Sequence, residues 1–332
     1  MPWKGEKDPY KIWLSEIILQ QTRVEQGWAY FERFISAFPT IKDLAAADDQ
    51  LIFKYWEGLG YYSRCRNLIH TARFVTKEYQ GRFPETYEAI RQLKGVGPYT
   101  AAAISSFAFG LPYAVVDGNV YRVLSRVFGI STPSDSTEGK KKFGALAQQL
   151  IDQHHAGFYN QAIMDFGAVV CKPISPLCAK CIFKKECVAL KTSMVADLPV
   201  KKKKLTVKKR WFYYFVLHYR NTTAIRQRTS KDIWRDLYEF PLIESDTPLT
   251  ASALLKQAKD QKWFSANGKI TVKETSDFEQ QLTHQRIQGQ FIVLELPLKP
   301  AFFRDWEWVG KSQLGRYAFP RSLKVFIQCK KD

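Results

Sequence analysis

The densest chemistry in this 332-residue chain lies in four cysteines, Cys171, Cys178, Cys181 and Cys187, spaced C-x6-C-x2-C-x5-C. Four thiols this close in a chain expected to be intracellular point to a metal centre rather than a disulfide framework. Zinc usually takes two separated C-x2-C knuckles. One knuckle flanked by two single cysteines favours a 4Fe–4S cluster over zinc. Cys65 and Cys329 stand apart and read as inert thiols. A second motif, Leu93-Lys-Gly-Val-Gly-Pro-Tyr-Thr100, puts Gly95, Val96 and Gly97 in a tight turn ahead of a helix starting at Pro98. Turn amides and a helix N-terminus together suit a phosphate, although an ordinary inter-helix turn looks similar. Two carboxylates complete the set. Glu16 lies among Ile17, Ile18 and Leu19, where desolvation raises a carboxyl's pKa and keeps its proton available. Asp117 follows the apolar run Tyr113-Ala-Val-Val116 and precedes Gly118-Asn119, at a turn or helix start where it can cap amides. Alone, these two also fit a surface Glu and a structural cap.

The elements that must position these groups follow from periodicity and charge. Trp13, Leu14, Ile17 and Ile18 recur at helical spacing, as do Ala101, Ile104 and Ala108. After residue 210 the period changes. Trp211–Tyr219, Lys269–Lys273 and Gln290–Leu296 read as strands, while Leu249–Lys262 and Pro320–Gln328 read as helices. A mainly α region at 1–197, with its cysteine loop at 171–187, thus precedes a basic linker at 198–210 and an α/β region at 211–332. The chain carries 50 Lys+Arg against 32 Asp+Glu, a net charge of +18. Residues 198–231 hold 11 basic and no acidic side chains, so the excess is local. Such a run marks an exposed segment that would meet a polyanion, and Lys172, Lys180, Lys184 and Lys185 add charge to the cysteine loop. The uncharged stretch Gly95–Val116 is broken by two Gly/Pro turns, so it reads as a buried helix and not a membrane span. Pro2-Trp3-Lys4 after Met1 shows no secretory leader. A cytoplasmic protein is expected, at the nucleoid if bacterial, with a nuclear one left open.

L-x-G-V-G-x-x-T-A, V-D-G-N-V-x-R-V and the four-cysteine spacing together resemble the helix-hairpin-helix, iron–sulfur DNA glycosylases. Within them, Ser15-Glu-Ile-Ile-Leu-Gln-Gln-Thr22, Gly58-Leu-Gly-Tyr-Tyr-Ser-Arg64 and Asn160-Gln-Ala-Ile-Met-Asp-Phe-Gly167 resemble the adenine DNA glycosylase (MutY) family. The resemblance implies a six-helix module plus an iron–sulfur module, followed by a Nudix-like domain that recognises 8-oxoguanine. It implies a monomer acting on double-stranded DNA with A:8-oxoG or A:G mispairs. Cleaving an N-glycosidic bond needs an acid for the leaving base and an anion for the oxocarbenium-like sugar. By resemblance Glu16 protonates adenine and helps activate water, Asp117 stabilises the sugar cation, and Asn119 positions Asp117 or the sugar. Tyr99 stands where bifunctional relatives resembling endonuclease III carry a Schiff-base Lys, so a monofunctional enzyme is expected. Gln20, Gln21, Thr22 and Tyr61 are implied at the DNA, with Gln21 and Tyr61 wedging the vacated stack.

For the second domain the resemblance rests on Trp234, Asp236-Leu-Tyr-Glu-Phe-Pro241, Leu282-Thr-His284 and Trp306-Glu-Trp-Val309. It implies Thr283 and His284 as contacts to the damaged base or its phosphate. The acidic Nudix box is missing, which argues against pyrophosphate hydrolysis. Three departures stand out. Leu282 replaces an aromatic residue, Lys4 stands where Arg or Gln is usual, and a preceding helix of about 20 residues is absent. A related mismatch or oxidised-pyrimidine glycosylase, and a non-catalytic damage-binding iron–sulfur protein, are the alternatives.

Overall fold

A computed structural model describes residues 5–202, 207–264 and 271–330. Lys4, Lys203, Lys204 and the first two residues of the strand expected from Lys269 lie outside them. The helices of the first half are α1 (Pro9–Leu19), α2 (Val24–Ala37), α3 (Ile41–Ala46), α4 (Asp49–Trp56), α5 (Tyr62–Glu78) and α6 (Tyr87–Gln92). They continue with α7 (Pro98–Phe109), α8 (Gly118–Phe128), α9 (Thr137–Leu150), α10 (Ala156–Val169) and the short α11 (Val188–Lys191). The second half holds β1 (Lys208–Tyr219), β2 (Thr222–Gln227), β3 (Tyr238–Glu239), β4 (Leu242–Ser245) and α12 (Ala251–Asp260). It ends with β5 (Thr271–Gln281), β6 (Gln285–Glu295), β7 (Glu307–Gly310) and α13 (Arg321–Cys329).

Two compact units result: Met1–Ala47 with Ser63–Lys204, and Asp48–Tyr62 with Leu205–Asp332. In the helical unit, α1 is apolar nearly all round and buries Tyr10, Ile12, Trp13, Leu14, Ile17 and Ile18, as a central helix must. Asp8 caps its Tyr10 amide at 2.9 Å, and Pro9 occupies the first turn where no amide partner is needed. Helix α8 starts at the Asp117 cap and stops at Gly129, in left-handed geometry. Its Val120 and Leu124 pack with Ala102, Ala103, Val115, Phe143 and Met164. Truncating the fully buried Phe143 to Ala would cost about 3–5 kcal/mol.

In the second unit the sheet order is β3-β2-β1-β6-β5, with β4 also on β1 and β7 on β2. Strands β1 and β6 run parallel and the other pairs antiparallel. Alternation in β1 explains why it is buried on both faces. Tyr213, Phe215 and Leu217 meet Leu254 and Ala258 of α12 with Trp263. Tyr214, on the opposite face, stacks on Phe291, which stacks in turn on Phe326 of α13 at 4.2 Å.

The stretch read as a linker is held at both ends. Leu198 is buried, the Val200 carbonyl accepts from the Ser134 amide at 3.0 Å, and the Lys202 amide donates to Asp135 at 2.9 Å. Lys208, Lys209 and Arg210 already belong to β1. Charge density marked the segment as exposed, but backbone amides and carbonyls pair regardless of the side chains beside them. Segment 48–62 also falls with the sheet unit and not with its chain neighbours, because polar contacts of Glu57 tie it to residues 317–324.

Candidate active site and cysteine loop

Glu16 sits in the last two turns of α1, 6% exposed. Burial pushes its carboxyl up to about 7, with a hydrogen bond to Tyr99 opposing and the Asp117 charge reinforcing the rise. Glu16, Tyr99 and Asp117 therefore form one electrostatic group, as the sequence motifs predict. Tyr99 is pushed well above the usual phenol range by its own burial and then by Glu16 and Asp117. It stays a neutral donor.

Asp117 is half-buried and caps α8, accepting from the Val120 amide and from Asn119 Nδ2, both at 2.8 Å. Burial raises its pKa, while those hydrogen bonds and the Arg122 charge hold it down. The cap and the anion are thus one arrangement: the hydrogen bonds that start the helix also favour carboxylate over acid. Burial raises both carboxyls, but only Asp117 has hydrogen bonds from a backbone amide and an amide side chain that work toward the anion.

Arg122 extends the group. Its Nη2 donates to Asn119 Oδ1 at 2.8 Å and to the Gly167 carbonyl at 2.7 Å, and its Nε donates to the Cys171 carbonyl at 2.7 Å. One turn on, Arg126 is 3% exposed and donates to the Lys172 and Pro173 carbonyls at 2.8 and 3.3 Å, with Nη1 3.5 Å from Cys171 Sγ. The four thiols are free and line one pocket with Arg126, Phe166, Leu177 and Lys184. Each of the other three pushes Cys181 further up, after burial itself. Among the described residues, no three of His, Cys, Asp or Glu close around a single ion. Lys180, Lys184 and Lys185 are exposed on the same loop, and Lys172 is half-buried.

In the hairpin turn Gly95 has φ +82°, and a Cβ there would lie 2.7 Å from Asn67. Only glycine suits both demands. Val96 is buried and its amide donates to the Leu93 carbonyl at 3.0 Å. That amide is used inside the turn, which the motif alone did not predict; Gly97 leads into Pro98 at the first position of α7. Gln20 donates to Thr100 at 3.3 Å, Gln21 is exposed with φ +60°, and Thr22 accepts from Arg64 at 3.3 Å. Arg64, buried, also donates to the carbonyls of Ile17, Ile18 and Gln20 at 3.0, 2.7 and 2.6 Å. It satisfies the end of the helix that carries Glu16. Sequence reasoning missed Arg64, Arg122 and Arg126 as site residues, although Arg64 and Arg122 stand inside the quoted motifs; the signal for Arg122 and Arg126 was arginine inside an apolar helical run.

In the second unit, Thr283 and His284 are exposed at the tip of the β5–β6 hairpin, closed by the Leu282 amide on the Gln285 carbonyl at 2.7 Å. Tyr61, of the same unit, hydrogen-bonds Thr283 through its hydroxyl.

These features define the class. Residues 14–161 match the HhH-GPD superfamily base excision DNA repair protein family, and residues 213–329 match the NUDIX domain family. A thermostable thymine-DNA glycosylase has a similar structure, with a TM-score of 0.54 and 33% identity over 58% of this chain and 88% of that one. An endonuclease III–DNA complex, at 23% identity and a TM-score of 0.51, shares the fold over 57% of this chain and 87% of that one. Among curated relatives, the adenine DNA glycosylase of Buchnera aphidicola subsp. Acyrthosiphon pisum is 33% identical over 99% of this chain and 92% of its own length. The human adenine DNA glycosylase is 43% identical over 56% of this chain and 36% of its own length. The chain belongs to the adenine DNA glycosylase family and is a DNA glycosylase of base-excision repair. Among the described residues no helix is long and apolar enough to cross a membrane.

Proposed function

We propose that the chain is a monofunctional glycosylase that releases adenine mispaired with 8-oxoguanine or guanine in double-stranded DNA. It would act as a monomer in the cytoplasm, with DNA. The observation that carries this is the buried Glu16 carboxyl, raised to about 7 and set against Asp117, whose hydrogen bonds favour the anion. Glu16 holds its proton at neutral pH and delivers it to the leaving adenine as the glycosidic bond lengthens. Asp117 faces the developing sugar cation. The Glu16 carboxylate then takes a proton from the incoming water and is restored. Tyr99 donates to Glu16 and has no amine, so it forms no Schiff base with the sugar.

The amides of Gly95 and Gly97, the start of α7 and the lysines of the cysteine loop are the phosphate contacts in this reading. Gln21 and Tyr61 take the place of the flipped base, with Gln20 and Thr22 beside them. Thr283 and His284 read the base opposite. Cys171, Cys178, Cys181 and Cys187 fit a 4Fe–4S cluster: all four line one pocket, and Arg126 lies at Cys171 Sγ, where it would offset ligand charge. When bound, that group fixes the loop and presents its lysines. Purified protein should be brown with broad visible absorption; a colourless protein with stoichiometric zinc would refute the cluster.

The test of function is single-turnover adenine release from A:8-oxoG, A:G and A:T duplexes. Release from the two mispairs, absent with Asp117→Asn and without borohydride-trapped adduct, is expected. Equal release by wild type and Asp117→Asn would remove Asp117 from the chemistry, and a stoichiometric trapped adduct would make the enzyme bifunctional. Preferential base release from T:G or oxidised-pyrimidine pairs would favour the related glycosylases.

A further inference from the structure

Glu57 is 3% exposed and belongs to no motif assigned above. It follows α4, a helix that groups with the sheet unit although it lies 150 residues upstream of β1 in number. Its carboxylate accepts from the backbone amide of Phe319 at 3.0 Å, from Lys324 at 2.9 Å and from Lys54 at 3.0 Å. Lys54 also donates to the Tyr317 carbonyl at 2.9 Å. The anchor is itself firm. Ala318 accepts from the Tyr238 amide at 2.8 Å, Phe319 is buried against Phe240, and Lys324 lies in the first turn of α13.

Directly after Glu57 the backbone turns sharply. Gly58, Gly60 and Tyr61 have φ of +96°, +77° and +48°. A left-handed tyrosine persists only where its surroundings over-determine it. Here Trp56 Nε1 donates to the Gly60 carbonyl at 2.9 Å, and Tyr61 reaches Thr283 on the β5–β6 hairpin. The turn is thus fixed from two sides by the sheet unit, at its base through Glu57 and at its tip through Thr283.

We propose that Glu57 is a positioning residue through which the Nudix-like domain sets the Tyr61 turn, so that recognition of the base opposite adenine depends on this buried acceptor for the Phe319 amide. The proposal rests on the function proposed above. A side chain that touches no DNA then determines specificity, because it decides whether Tyr61 and Thr283 present one surface. Lys54 and Lys324 are partly exposed and regain water when Glu57 is removed, whereas the Phe319 amide is left buried.

The experiment is single-turnover adenine release by the full chain on A:8-oxoG and A:G duplexes, for wild type, Glu57→Ala, Glu57→Gln and Lys324→Met. Glu57→Ala should lower the preference for A:8-oxoG about tenfold while changing the A:G rate less than about twofold. Glu57→Gln keeps an acceptor for the Phe319 amide and should retain most of the preference, as should Lys324→Met, which leaves the carboxylate on that amide. An unchanged preference in Glu57→Ala would overturn the proposal, and so would an equal loss on both duplexes in Glu57→Gln. A wild type that releases adenine from neither duplex would instead refute the proposed function, and this inference with it.

Discussion

Helix α8 and strand β1 both bury arginine, and the two regions satisfy it by different means. Arg210 of β1 lies against Asp232 at 2.5 Å and Glu244 at 2.6 Å, and Arg228 of the same sheet unit pairs with the buried Glu239. Arg122 and Arg126 of α8 spend most of their donors on backbone carbonyls, chiefly of residues 167–173, with others on Asn119 Oδ1 and at the Cys171 sulfur. Burial pushes Arg122 down, and Cys171 opposes this more strongly than Asp117 does. The sheet unit cancels its buried charge internally. The helical unit sets its buried arginines against carbonyls and a sulfur of the cysteine loop, so its balance depends on that loop. Two members of the basic stretch 198–231, Arg210 and Arg228, are therefore structural, which shrinks the part of the charge excess that can meet DNA.

The largest test of that contrast is removal of the proposed cluster. Oxidative loss of iron, or Cys181→Ser, should abolish hydrogen-exchange protection in α8, α10 and the loop 171–187, while β1 and β6 stay protected. Equal loss in both units would erase the distinction. Next is Glu239→Ala, which leaves buried Arg228 with only the longer Asp232 contact at 3.4 Å. It should cost the sheet unit up to about 3 kcal/mol in denaturant unfolding, with the absorbance of the proposed cluster intact. Arg122→Gln should slow single-turnover release by about 10–100-fold with DNA affinity nearly unchanged, since it loosens Asn119 and Asp117 without touching the acid. Weakened binding at normal rate would place Arg122 at the DNA instead. The smallest effect belongs to the exposed lysines: Lys201→Ala with Lys202→Ala should reduce the salt slope of DNA binding by about one to two and leave the chemical step alone.

Much of the helical unit was legible because its signals are local. Asp117 before Gly118-Asn119 announced a cap, and the structure shows the cap. Ile17 and Ile18 around Glu16 announced desolvation, and the carboxyl is raised. The hairpin glycines announced a tight turn, and Gly95 supplies its left-handed position. What stayed hidden depends on partners distant in sequence. Arg64 reads as one more basic residue until it meets the carbonyls of Ile17, Ile18 and Gln20. Glu57 reads as a surface acid until residues 317–324 close on it. Within the basic stretch, Lys201, Lys202, Lys208 and Lys209 are exposed, but composition does not report that a carboxylate waits across the sheet for Arg210 and Arg228. Strands β2, β3, β4 and β7 are short or mixed in pattern and hold their places through pairing.

The central claim is that Glu16 is the acid. The sign of its pH behaviour is fixed by its raised pKa. Because the folded protein holds this proton up to about 7 and the unfolded chain releases it near 4.5, stability falls as pH rises between those values. Glu16→Gln should thus gain up to roughly 3 kcal/mol on the wild type above pH 7 and little below pH 4.5. The direct measurement is the single-turnover rate of adenine release from an A:8-oxoG duplex against pH, for wild type and Glu16→Gln. The wild-type rate should fall as pH rises through about 7, approaching about tenfold per pH unit. Glu16→Gln should be slower by at least about 100-fold and show no such fall. A Glu16→Gln profile that matches the wild type in rate and shape would contradict the account.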